Sequence, residues 1–170
     1  MFVNTRKRLV VRLSAFTFTL LFVLIMGTVA LASGPIVHKV SVGGPDACYP
    51  DLQPGCDSNF SLIAIEFADG RVEGQFTDRW VEGTGFHAVI DCLSVVGNEA
   101  WVSGVITHGV YPGGYDLAGV PVGTRIVDNG TNANDPPDQI SYSYGGDDTP
   151  CTDHPEYELF DVPQGQVKVR

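Results

Sequence analysis

Three aspartates, Asp78, Asp128 and Asp138, fall in phase with apolar residues of the chain, and a carboxylate tolerates such a place only when hydrogen-bonded, paired or bound to a cation. In the run 71–80, Asp78 shares its parity with Val72, Phe76 and Trp80, while Arg71, Glu73, Gln75, Thr77 and Arg79 take the other face. The same alternation joins Asp128 to Val122 and Ile126, and Asp138 to Ile140 and Tyr142. Oxygen ligands so placed, completed by Asn129, Asn132 or Asp135, suit a hard cation such as calcium. The spacing is not that of an EF-hand, because position twelve counted from Asp128 is Gln139, where that loop needs Glu. The plainer reading has each aspartate capping backbone N–H groups at a strand end or turn. A third chemistry, general acid and base work on a glycan by carboxylates such as Asp78 and Asp128, requires one of them to be raised in pKa inside a cleft.

Other chemistries have less support. No Gly-x-Ser-x-Gly elbow occurs for a serine nucleophile. His38, His87, His108 and His154 lie far apart in sequence, and ordinary surface or core placement explains them more simply than a shared site. Trp101 lies out of phase with Ala100, Val102, Gly104 and Ile106, and Tyr111 and Tyr115 sit on a glycine-rich loop just beyond. Exposed, these three rings could stack on sugars or on another protein. Otherwise they cover an open end of the fold or form a second packing layer.

The elements that must position these residues are strands. Runs rich in Val, Ile, Phe and Tyr recur with Gly, Asn, Asp or Pro between them, and no stretch carries a helical period. Strands are expected at 36–42, 60–67, 71–80, 86–95, 100–107, 119–128, 139–144 and 166–169. The connections Ala68-Asp69-Gly70 and Gly97-Asn98-Glu99 suit hairpins. The expectation is an all-β fold of about eight antiparallel strands, a small barrel or a sandwich.

The N-terminus has the parts of a secretory signal peptide. A basic stretch, Arg6-Lys7-Arg8 and Arg12, precedes an apolar run that ends in Ala30-Leu31-Ala32, a small-x-small pattern for cleavage after Ala32. An uncleaved anchor is the rival, since the run approaches the roughly 20 residues that span a bilayer. Removing 1–32 leaves 33–170 as one domain. It also removes four of the ten basic residues and none of the twenty acidic ones, for a formal charge of −14. Such a surface argues against nucleic acid and anionic membrane as partners. Four cysteines in the exported part suggest disulfides. Cys48 with Cys56 is favoured across a turn-rich loop, which leaves Cys92 with Cys151.

From about Gly70 to Val169 the chain resembles a type of bacterial secreted β domain found alone or after choice-of-anchor regions, the post-COAP type. The resemblance rests on Gly74-Gln75-Phe76-Thr77-Asp78, the run from Val95 to Gly104 around Gly97-Asn98-Glu99-Ala100-Trp101, Asp128-Asn129-Gly130 followed by Asp138, and Gly165-Gln166-Val167-Lys168-Val169. It implies a secreted β domain of unknown activity and offers no catalytic residues. It also points to bacteria, where the sequons at Asn59 and Asn129 carry no glycan. Together these readings predict a secreted or extracytoplasmic, disulfide-bearing, non-enzymatic binding or structural module. No cofactor is expected, calcium being the one considered, and the ligand is left open, with a glycan or a protein at the cell surface as the candidates. The alternative is a secreted carboxylate-dependent glycan hydrolase.

Overall fold

A computed structural model describes residues 34–45, 59–80, 83–132, 134–162 and 165–170, which belong to a compact unit spanning Gly34–Arg170. The expected signal segment and the Cys48–Cys56 pair lie outside the described residues. The unit is all-β, one antiparallel sheet curled into a half-barrel. Its strands are β1 (Ile36–Pro45), β2 (Asn59–Phe67), β3 (Val72–Arg79), β4 (Gly85–Val96), β5 (Glu99–Tyr111), β6 (Tyr115–Asp116), β7 (Pro121–Val127), β8 (Gln139–Ser141), β9 (Tyr144–Gly145), β10 (Leu159–Asp161) and β11 (Gln166–Val169).

The order across the sheet is β10-β8-β7-β5-β4-β3-β2-β1-β11, with β6 beside β5 and β9 beside β7. Between β2 and β5 the chain meanders, because short polar turns such as Gly97-Asn98 return each strand beside the last. The inner face is the expected parity set. Val40, Leu62, Phe76, Ile90, Ile106 and Ile126 are all buried in one cluster.

Two irregularities in the β4–β5 ladder change which residues face out. Between Ile90 and Cys92 the register shifts, so Asp91 is the inserted residue and Cys92 pairs with Ser103. Between His87 and Ala88 it shifts again, with Thr107 inserted on β5, so His87 faces His108. A bulge inserts one residue against the period of two and turns the residues beyond it to the other face. Cys92 and His108, both in core phase by simple alternation, therefore end on the outer face.

The strand ends differ from expectation in places. β5 runs on to Tyr111, the expected run 139–144 divides into β8 and β9, and β6 and β10 add to the expected set. Strands of two or three residues are too short to show a period.

Candidate functional site

The outer face of β4, β5 and β7 is covered by the segment from Cys151 to Glu158. Cys151 opens it with a short 3₁₀ turn, Cys151–Asp153, and bonds Cys92 with the sulfurs 1.97 Å apart and the Cα atoms 6.0 Å apart. His154 comes next in a left-handed conformation, φ 52°, unusual for a residue with a side chain. That turn lays its ring on Trp101, centroids 4.3 Å apart, with Nε2 2.8 Å from Ser94 Oγ. Trp101 Nε1 donates to Pro155 O at 3.1 Å, and the Arg125 guanidinium lies over the indole at 5.4 Å. Arg125 also bonds Glu99 at 2.9 Å and Glu156 at 3.3 Å.

Tyr157 completes the cap. Its ring stacks on Tyr144 at 4.1 Å and lies against Gly123, where an added Cβ would come 2.8 Å from the phenol oxygen. Its hydroxyl donates to Asp147 Oδ2 at 2.8 Å. Burial first, then that bond to a carboxylate, push the Tyr157 pKa well above its ordinary value. Hydrogen bonds from the Thr149 side chain and backbone, and from Tyr157, hold the Asp147 carboxyl below its ordinary value.

The three aspartates go separate ways. Asp78, 5% exposed, accepts from Ser143 Oγ at 2.9 Å. Asp128 accepts from Gly130 N at 3.1 Å through Oδ1 and from Val169 N at 3.0 Å through Oδ2. It thus ties the end of β7 to β11. Asp138 Oδ1 accepts from Asn129 N at 2.8 Å, and Asp135 Oδ2 accepts from the backbone and side chain of Asn132 at 2.8 and 2.9 Å. These are turn and strand-end bonds of the kind short polar side chains make. Among the described residues no three His, Cys, Asp or Glu side chains gather as metal ligands, so the aspartates expected as a cation site do not converge. A shallow surface cleft lined by Phe60, Ile140, Tyr142 and Phe160 includes one carboxylate, Asp161.

The expected aromatic group is split and partly replaced. Trp101 is 7% exposed beneath His154 and presents no open ring, because the disulfide holds the cap over it. Tyr111 and Tyr115 are 52% and 71% exposed and sit directly opposite each other on β5 and β6. The third ring there is Trp80, edge-on to Tyr111 with centroids 5.5 Å apart and an interplanar angle of 80°. Trp80 meets Phe86 at 5.8 Å, and Phe86 meets Phe76 at 5.1 Å, so an edge-to-face series roots the exposed tyrosine in the core. The sequence signal for Trp80 is its place at the end of β3, in phase with Phe76 but one residue beyond the strand.

Two of the four histidines, far apart in sequence, meet in the fold. His87 and His108 stack across β4 and β5 with centroids 5.2 Å apart. Comparison of the chain with protein-family models, curated proteins and solved structures finds no match.

Proposed function

We propose that the protein is a non-enzymatic binding module of the secreted, extracytoplasmic kind, and that Tyr111, Tyr115 and Trp80 form its contact surface for a glycan. The observation that carries this reading is the pair of tyrosines standing side by side in solvent while Trp80 braces one of them against the core. Exposed aromatic area costs free energy in water, and rings already ordered lose little further freedom on binding. Sugar rings present apolar C–H faces that stack on such surfaces. The resemblance to bacterial secreted β domains and the export-like N-terminus agree with a ligand outside the cell.

The test is retention on insoluble polysaccharides, using cellulose, chitin and peptidoglycan as probes. Retention on at least one of them is expected to fall at least tenfold, or about 1.4 kcal/mol, in Tyr111→Ala/Tyr115→Ala, with the melting midpoint little changed. Retention that ignores both substitutions would refute the reading. Turnover of the polysaccharide, lost in a folded Asp78→Asn variant, would assign the carboxylate-dependent hydrolase in its place.

A further inference from the structure

The stacked histidines stand in one row of the outer face, Thr77 on β3, His87 on β4 and His108 on β5. Thr107, the inserted residue, is what brings them together. Under unbroken alternation from Ile106, Thr107 would face His87 and His108 would fall on the inner face opposite Phe86. Bulges that re-aim a side chain recur beside functional sites.

Each ring has its Nδ1 engaged by a threonine hydroxyl. Thr107 Oγ1 donates its single hydroxyl proton to His87 O at 3.0 Å. Its 3.2 Å contact with His108 Nδ1 must then be an N–H donated by the ring. In the neutral imidazole that leaves Nε2 of His108 with a bare lone pair. His87 Nδ1 lies 2.8 Å from Thr77 Oγ1, and in the tautomer where the ring donates that bond, Nε2 of His87 is the other nitrogen on offer. A ring nitrogen held by a protein group while the other points away is the supporting arrangement of metal-binding histidines.

Distance permits a chelate. Metal to imidazole bonds run about 2.0–2.1 Å, so two nitrogens on one ion stand no more than roughly 4 Å apart. The ring centroids stand 5.2 Å apart, so a chelate requires the two side chains to turn until their free nitrogens converge on one ion. The stack itself carries no bond between the rings that would have to break. Twenty acidic against ten basic residues favour any cation in the surrounding field.

We propose that His87 and His108 form a two-imidazole site on the outer face for a borderline divalent transition-metal ion, with water in the remaining positions. Nitrogen ligands favour Cu(II) over Ni(II) and Zn(II) by the usual affinity order. Calcium, which requires oxygen ligands, is excluded from this site.

The test is titration of the purified protein with Cu(II), read by calorimetry and by electron paramagnetic resonance. One saturable equivalent with two nitrogen ligands is expected. His87→Gln and His108→Gln should each weaken it at least tenfold, while His38→Gln, which alters the half-buried partner of Glu66, should not. In the unaltered protein, sub-stoichiometric Cu(II) should broaden the imidazole resonances of His87 and His108 before those of His38 and His154. That second readout stands even if a variant fails to fold. No saturable binding, a single nitrogen ligand, loss in only one of the two variants, or first broadening at another histidine would each overturn the proposal.

Discussion

A carboxylate placed among core residues need not do chemistry, and Asp128 shows why. Its two oxygens take backbone N–H groups from Gly130 and Val169, donors that a curled sheet would otherwise leave unpaired where β7 approaches β11. Asp128→Ala should cost about 1 kcal/mol in urea unfolding, because two backbone donors lose their acceptor. Calcium or a chelator should leave the melting midpoint of the unaltered protein in place, since these oxygens are already used. Asp147 and Tyr157 give the pH dependence. The Asp147 pKa is lowered, so its contribution is present above the ordinary 3.8 and is lost as pH falls through the depressed value. The Tyr157 pKa is raised, so its contribution is present below the ordinary 10.0 and is lost as pH climbs beyond it. Melting midpoints measured against pH should therefore fall on both flanks, and Tyr157→Phe should remove the alkaline fall. The phase of Asp78, Asp128 and Asp138 is legible by alternation. Their partners, Ser143, Val169 and Asn129, are not, because they arrive through the fold.

The element with the most influence on the outer face is the cap from Cys151 to Glu158. It has little apolar content of its own, so the Cys92–Cys151 bond and the ring of Trp101 hold it down. Closing a separation of 59 residues should be worth about 4 kcal/mol through the unfolded chain. Cys92→Ser/Cys151→Ser should lose an amount of that order in denaturant unfolding. It should also expose Trp101, read as red-shifted emission; a variant that keeps both stability and emission would show that the cap holds without its bond. Much of this architecture can be read from the chain. The main strands obey the period of two, and the pairing of Cys92 with Cys151 is one of the few that four cysteines allow. The bulges at Asp91 and Thr107 cannot be read, because a single inserted residue carries no composition signal. Simple alternation puts Cys92 and His108 on the wrong face for that reason, and the histidine pair goes unseen with them.

At the scale of the whole molecule, the inner face of the half-barrel is packed with side chains, and function is left to the surface and the strand ends. The outer face bears the capped Trp101, which is structural, and the stacked histidines. The aromatic end at β5–β6 differs in that Tyr111 is braced on the core through Trp80 while Tyr111 and Tyr115 stand open to water. Trp101, expected to share that surface, instead lies under the cap, while Trp80 takes the third position there. This exchange makes a direct measurement possible, because the chain has two tryptophans. In a folded Trp101→Phe variant all tryptophan emission comes from Trp80, and a soluble oligosaccharide of whichever polysaccharide retains the protein can be titrated against it. The account predicts a saturable change in Trp80 emission that disappears in Tyr111→Ala/Tyr115→Ala. Binding that leaves Trp80 emission unchanged would contradict it.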